Sequence, residues 1–235
     1  NLKNNERKKI NDLCIKVIKE IGYEGVGTLE FLYENNNFYF LEMNTRLQVE
    51  HPVTELITGI DLVEQQIKVA NGETLSFTQE DLKIDGHAVE LRVYAEDPLN
   101  DFLPSVGNLE VYKLPEGNGI RVDNGFEEGM EVPIYYDPML AKLITYGKTR
   151  EAAIQLMVEA IDAYEVEGIQ TTLPFGKFVF ENDAFRSGNF NTHFVKNNYS
   201  PEKLKAQFTE EAELAAKVAL RQYLKDSKQL RLPKS

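Results

Sequence analysis

Tryptophan is absent from this 235-residue chain, and there are only one cysteine, Cys14, and three histidines. A lone thiol cannot close an internal disulfide, so no disulfide framework holds the fold. Such usage suits a reducing compartment, and a cytoplasmic location is expected. Cys14 falls on the apolar side of a helical pattern and is expected as a small core residue. No Cys/His set spells out a zinc site. No apolar run approaches the roughly 20 residues that span a bilayer, and no signal peptide is visible, so no membrane partner is expected. Cations are in deficit: 26 Lys and Arg stand against 38 Asp and Glu, a formal charge of −12. A nucleic-acid binder usually carries a basic footprint, so nucleic acid is not an expected partner either. A small anion is compatible with this balance, because local Arg and Lys outweigh distant charge. Glycine-rich phosphate loops are also missing; Gly25-Val26-Gly27 is too short to be one and suits close packing instead.

The 42% hydrophobic content suffices for one large domain or two modest ones. The chain opens at Asn1 rather than Met and enters a helix almost at once, so a piece of a longer protein is expected. Ile10, Leu13, Cys14, Val17, Ile18 and Ile21 recur at helical spacing, with Gly22 as a stop. Two strands are expected over 25–33 and 38–44, joined by the polar turn Glu34-Asn35-Asn36-Asn37. A helix over 61–70 follows, capped by Asp61 with Glu64 three residues on and ended by Asn71-Gly72. From 78–85 the pattern becomes β-rich. Strands are expected at 88–94, 107–114, 119–123 and 139–146, separated by Pro and Gly turns. Along 88–94, Val89, Leu91 and Val93 share one face and Glu90, Arg92 and Tyr94 the other. Thr149 is expected to cap a helix carrying Ile154, Met157, Val158, Ile161 and Tyr164, closed by Gly168. Another helix is expected over 171–180, beginning near Pro174. From Pro201 the composition turns to Ala, Glu, Lys and Leu, giving an exposed helix over 209–225 and a linker over 230–235.

The densest chemistry is Glu42-Met43-Asn44-Thr45-Arg46-Leu47-Gln48-Val49-Glu50-His51-Pro52. If the hairpin turn centres on Asn36, Tyr33 opposes Tyr39 and Glu30 opposes Glu42. Side-chain alternation then groups Phe38, Phe40, Glu42 and Asn44 on one face. Directly opposed residues have Cβ atoms about 5 Å apart, and like charges there are destabilising. A divalent cation between hard oxygens, or a shared proton, would offset that cost. Asn44 adds a neutral oxygen and favours the metal. A solvated hairpin face with incidental charge is the plain alternative for the Glu pair alone. If the chain stays extended, Arg46, Gln48 and Glu50 continue the row with a bidentate anion clamp, an amide and a carboxylate. Salt bridging to Glu42 or Glu50 is the plain alternative for Arg46. His51 reads as a structural residue, restricted by Pro52. A glycosidase pair, with carboxyls about 5 Å apart, has little support in a chain without Trp.

Gly27-Thr28-Leu29-Glu30-Phe31 and the run from Glu42 to Glu55 closely resemble biotin carboxylase, the ATP-grasp component of biotin-dependent carboxylases. The likeness continues through Gly86–Arg92, Ala95-Glu96-Asp97-Pro98, Phe102-Leu103-Pro104-Ser105 and Tyr135-Tyr136-Asp137-Pro138-Met139, covering roughly residues 1–200. The resemblance implies an α+β fold: the C-terminal half of an ATP-grasp domain over 1–78, a biotin carboxylase C-terminal domain of sheet plus helices over 79–200, and a helical tail over 201–235. It implies a ligase that uses MgATP, with Mg2+ or Mn2+, to activate bicarbonate to carboxyphosphate and carboxylate biotin on a carrier domain. Glu30 and Glu42 resemble the metal carboxylates that hold ATP through the ion, with Asn44 assisting. Arg46, Gln48 and the Val49 backbone resemble bicarbonate-binding groups, and Glu50 the general base. Arg92 resembles the residue that stabilises the biotin enolate, and Asp137 a carboxylate near it. Implied partners are the biotin carboxyl carrier domain, a second copy of the chain, and a carboxyltransferase subunit. Arg121 falls near the family's homodimer contact, with Asn118 where an aromatic can occur. No Gly-rich lid, no phosphate-gripping lysines and no Ala-Met-Lys-Met-type biotin segment are present. The fragment alone is therefore expected to be inactive. An acetyl- or propionyl-CoA carboxylase parent is expected, the alternatives being a pyruvate or methylcrotonyl-CoA carboxylase, or a non-catalytic assembly module.

Overall fold

The computed structural model describes residues 2–229, so the linker expected over 230–235 lies outside the described residues. The chain divides into two compact units: Asn1–Glu90 with Tyr146–Arg150, and Leu91–Thr145 with Glu151–Ser235.

In the first unit, α1 (Asn4–Ile21) ends where expected, with Gly22 left-handed at φ 65° and its N–H returned to the last carbonyls of the helix. Its apolar stripe is not covered: none of its residues is buried, and Cys14 is half-buried rather than a core residue. Strands β1 (Thr28–Glu34) and β2 (Asn37–Asn44) form an antiparallel hairpin. Next comes α2 (His51–Thr58), a short helix absent from the pattern reading. Its start is marked by Pro52 in the first turn and its end by left-handed Gly59, both standard signals that the polarity of the preceding stretch obscured. Helix α3 (Leu62–Ala70) is capped as expected, Asp61 accepting from the Glu64 N–H at 2.8 Å. A 3-10 turn, Gln79–Asp81, follows.

The remaining strands are β3 (His87–Tyr94), β4 (Glu96–Asp97), β5 (Leu103–Pro104), β6 (Gly107–Asn108), β7 (Val111–Lys113), β8 (Ile120–Asn124), β9 (Glu131–Val132), β10 (Met139–Gly147) and β11 (Glu165–Glu167). The helices are α4 (Arg150–Asp162), α5 (Leu173–Glu181), α6 (Asp183–Arg186), α7 (Phe194–Asn198) and α8 (Pro201–Gln229). Strand β10 lies between β3 and β8 in a three-stranded sheet, and short ribbons pair β4 with β5, β6 with β9, and β7 with β11. The single strand expected over 107–114 is two, β6 and β7, each with a different partner.

Helix α4 stops at Asp162, not at Gly168. Tyr164 lies beyond it and is buried, and β11 intervenes. Gly168 serves the strand instead. It has φ 98°, and a Cβ there would overlap the Asn108 carbonyl oxygen.

Apart from Pro52, all apolar side chains classed as buried among the described residues belong to the second unit, among them Val93, Leu140, Leu143, Ile144, Ile154 and Met157. Thr145, itself fully buried, donates to the Ala153 carbonyl at 2.8 Å and ties β10 to α4. In the first unit the described buried residues are Pro52, Glu55 and Gln65. They sit on α2 and α3, the elements that follow the polar run.

Candidate active site

The hairpin fixes the first part of the site. Its turn is Asn35-Asn36, both with positive φ, 49° and 62°, the backbone whose twist suits a two-residue hairpin loop. From the turn, Tyr33 pairs with Phe38, Leu32 with Tyr39 and Phe31 with Phe40; the register then shifts, and Glu30 pairs with Glu42 and Thr28 with Asn44. Tyr33 therefore does not oppose Tyr39, because the loop is two residues long and centred before Asn36. Glu30 does oppose Glu42, because Leu41 is one extra residue in β2 and restores the count. The same bulge overturns the grouping of Phe40 with Glu42 and Asn44. Phe40 packs against Phe31 instead, ring centroids 5.8 Å apart.

The two carboxylates converge on one amide. Asn44 Nδ2 donates to Glu30 Oε1 at 2.8 Å and to Glu42 Oε1 at 3.3 Å, and Gln48 Nε2 donates to Glu30 Oε1 at 3.1 Å. Two N–H donors thus offset the like charges that direct pairing imposes. This donor set fits a hard cation. Rotating the Asn44 amide by half a turn presents Oδ1 beside two carboxylate oxygens, all of the ligand type Mg2+ takes. Among the described residues no cluster of three or more His, Cys, Asp or Glu suits a metal; the hairpin set has two such residues plus the amide.

Beyond Asn44 the chain does not stay extended. It bends at Arg46 and turns at Val49-Glu50 into α2, so the period-two row ends before Glu50. Arg46 is exposed and arches over its own loop, donating to the Leu47 carbonyl at 3.2 Å and to Asn44 Oδ1 at 3.4 Å. Glu50 is exposed and takes the N-cap position of α2, with φ −80° and ψ 10°. Its carbonyl accepts from the Val53 N–H at 3.2 Å. A cavity of about 390 Å3 opens here, lined by Gly27, Thr28, Gln48, Glu50, His51 and Thr54 among others.

His51 is more than a residue locked by proline. Its Nδ1 lies 2.7 Å from the Gln48 carbonyl oxygen, and its Nε2 lies 4.0 Å from Glu55 Oε2. Glu55 is buried, and its Oε1 accepts from the Leu62 N–H at the start of α3, 2.7 Å away.

Arg92 and Asp137 belong to the second unit. Arg92 is exposed on β3, where Thr172 latches the backbone. The Thr172 hydroxyl donates to the Arg92 carbonyl at 3.1 Å and accepts from the Tyr94 N–H at 3.0 Å. Helix α5 presses on the same strand: a Cβ at Gly176 would come within 2.5 Å of Leu91 Cδ2. Asp137 accepts from the Met139 N–H at 2.9 Å. It also faces Glu96, whose carboxyl is raised above its ordinary pKa first by burial and then by the charge of Asp137. Arg121 lies on β8, a sheet edge, with its guanidinium engaged by Asp123 at 2.7 and 3.0 Å. No pattern in the sequence pointed to Thr172; Glu55 closes the run from Glu42 to Glu55, but nothing in that run marked its contact with the start of α3.

Two family models match. Residues 1–78 match the carbamoyl-phosphate synthase L chain ATP binding domain, and residues 90–197 match the biotin carboxylase C-terminal domain. Fold and site thus define an ATP-binding domain of the ATP-grasp type, joined to a carboxylase domain. The chain belongs to the biotin carboxylase family. It is 50% identical over 192 residues to biotin carboxylase 1 of Bacillus subtilis, covering 81% of this chain and 43% of that protein. It is 50% identical over 190 residues to the biotin carboxylase of Haemophilus influenzae, covering 81% and 42%. The propionyl-CoA carboxylase alpha chain of Ruegeria pomeroyi is 48% identical over 214 residues, covering 82% and 31%. Among solved structures it resembles the biotin carboxylase domain dimer of the Hydrogenobacter thermophilus 2-oxoglutarate carboxylase, in complex with MgADP and bicarbonate. The TM-score is 0.79 and the identity 44%, over 83% of this chain and 44% of that one. The chain therefore spans less than half the length of these relatives.

Proposed function

We propose that this chain supplies the metal and bicarbonate side of a biotin carboxylase that carboxylates biotin on a carrier domain at the expense of ATP. The observation that carries the reading is the convergence of Glu30, Glu42, Asn44 and Gln48 on shared hydrogen bonds beside the Arg46–Glu50 turn. Mg2+, or Mn2+, when bound supplies charge neutralisation for the ATP phosphates. Glu30 and Glu42 hold that charge, and Asn44 adds a neutral oxygen. Arg46 offers a planar fork to a planar oxyanion, while the Gln48 amide and the Val49 N–H complete the cradle. Glu50 takes the bicarbonate proton as general base. Arg92 stabilises the enolate form of biotin by its charge, and Asp137 lies on the same unit as its companion carboxylate. We divide the chain accordingly into an ATP-grasp portion over 1–78, a carboxylase domain over 79–200 and a helical tail over 201–235.

The biotin carrier domain, a carboxyltransferase and a second copy of the chain are the partners of this reading; the dimeric solved relative supports the last. We assign the final acceptor to acetyl- or propionyl-CoA, supported by the propionyl-CoA carboxylase relative. Pyruvate and 2-oxoglutarate, the acceptors named in other relatives, are the competitors. Fixation of radiolabelled bicarbonate by the assembled parent enzyme, offered each acceptor in turn, separates them. The cytoplasm is the proposed location, supported by the single cysteine; no helix among the described residues is long and apolar enough to cross a membrane.

By itself the chain lacks the phosphate-gripping loop and lysines, and it should not turn over ATP. Biotin-dependent ATP cleavage by the purified chain would overturn that expectation. In the parent enzyme, Glu50→Gln should reduce bicarbonate-dependent ATP cleavage by about a hundredfold or more with unchanged circular dichroism. Turnover equal to the unsubstituted enzyme would remove Glu50 as the base.

A further inference from the structure

The turn that carries Gln48, Val49 and Glu50 has no strand to hold it. The hairpin ends at Asn44 and α2 begins at His51. A short loop of this kind is free to rotate its peptide planes unless something grips them, and an oxyanion cradle works only if its donors are fixed beforehand. His51 provides two grips on one atom. Its backbone N–H donates to the Gln48 carbonyl at 3.3 Å, and its ring Nδ1 lies 2.7 Å from that same oxygen. A carbonyl oxygen only accepts, so Nδ1 carries the proton and the ring is held in that tautomer or as the imidazolium.

The consequence reaches the next atom along. The chain has no cis peptide bonds among the described residues, so the Gln48–Val49 peptide is planar and trans. In such a peptide the C=O and the N–H point in opposite directions. Holding the Gln48 oxygen toward the imidazole therefore turns the Val49 N–H away from it.

The imidazole is itself seated. It is 14% exposed, and its far nitrogen faces Glu55, 8% exposed, which is in turn anchored by the first N–H of α3. Pro52 and Glu55, two of the first unit's three buried residues, lie immediately behind this turn.

We propose that His51, seated by Glu55, is a positioning residue that clamps the Gln48 carbonyl and thereby aims the Val49 N–H at the bound bicarbonate. The proposal rests on the bicarbonate reading of the Arg46–Glu50 turn. His51 touches no reacting atom in this scheme; it acts through one peptide plane.

The test uses the intact chain, with bicarbonate as the probe and chloride as the control, followed through backbone amide shifts. The variants are H51A, H51N and H51Q. The Asn side chain places an N–H near the position of the imidazole Nδ1, whereas the Gln side chain reaches toward that of Nε2. H51A and H51Q should weaken bicarbonate binding about tenfold to a hundredfold, the cost of a misplaced group, while H51N retains it. A merely structural role would instead make the loss follow melting temperature in all three variants, and that result would overturn the proposal. So would an Nδ1-deprotonated ring in long-range proton–nitrogen correlation spectra, or unchanged binding by H51A. If H51A fails to fold, the contrast between H51N and H51Q decides. Absence of bicarbonate-induced shifts at Arg46, Gln48 and Val49 in the unsubstituted chain would overturn the bicarbonate reading and this proposal together. Binding that survives H51A would overturn the positioning role alone.

Discussion

Carboxylates in this chain are held by different kinds of partner. Glu30 and Glu42 face each other but share amide donors from Asn44 and Gln48. Asp123 is partly buried, which alone would raise its carboxyl; Arg121 and Lys142 overcome that, and its pKa lies below the ordinary value. Glu96 has no such rescue. Burial and the charge of Asp137 both hold its carboxyl above the ordinary 4.5. Its raised folded value means that the folded chain keeps a proton which the unfolded chain has released. Its contribution to stability is therefore full below the ordinary Glu pKa and is lost as pH rises through the raised value. Urea unfolding across that window should show Glu96→Gln gaining stability relative to the unsubstituted chain as pH rises, and Asp137→Asn should narrow the effect. A pH-independent difference would exclude Glu96 as the titrating group.

Among the elements, the hairpin depends on one residue with no chemistry of its own. Leu41 converts the register set by the Asn35-Asn36 turn into the register that pairs Glu30 with Glu42. Deleting it should carry the turn's register through the whole hairpin as a regular ladder, because the bulge is the one residue of β2 without an opposite number. Glu42 would then follow Phe40 directly and still oppose Glu30, now in an unbroken ladder. A Glu30→Cys/Glu42→Cys pair should form a disulfide in the intact hairpin, since directly opposed residues lie within cross-linking distance. It should form equally after deletion of Leu41, as read by peptide mass spectrometry. Cross-linking in the deletion variant but not in the intact hairpin would show that β2 carries no bulge and that Glu30 opposes Leu41 instead. Hairpin strands, Asp61 capping and α5 were legible in the sequence because each obeys a local rule. The bulge was not, since alternation cannot reveal where a strand carries one residue too many. Helix α2 was missed because its first turn begins inside a polar run. Strand β11 was missed because three residues, Glu165–Glu167, become a strand only through pairing with β7.

In the whole molecule, buried apolar side chains are concentrated in one unit. The second unit contains all of them but Pro52 among the described residues, whereas the first leaves Leu13, Ile15, Ile21, Leu32, Phe40 and Ile67 exposed. Apolar burial is the main favourable term in folding, so the units should differ in resistance to opening. Hydrogen exchange of the intact chain should show slow amides in β10 and α4 and faster ones in α1 and the hairpin. Equal protection in both units would contradict that distribution. The matched relatives carry more than half their own length outside the matched region.

The sequence by itself determined the chemistry. Two glutamates, an asparagine, an arginine, a glutamine and a further glutamate follow one another in a fixed order, and that order carries the resemblance to biotin carboxylase; on the proposed reading each group serves a cation, an anion or a proton. Tertiary structure decided where those groups stand. A bulge at Leu41 sets the carboxylate pair, a bend at Arg46 ends the extended row, and the imidazole of His51 orients a peptide plane. Those features depend on partners that folding supplies, strand β1 for the bulge and buried Glu55 for the imidazole, just as Thr172 reaches Arg92 from 80 residues away. Local residue preference carries no record of them.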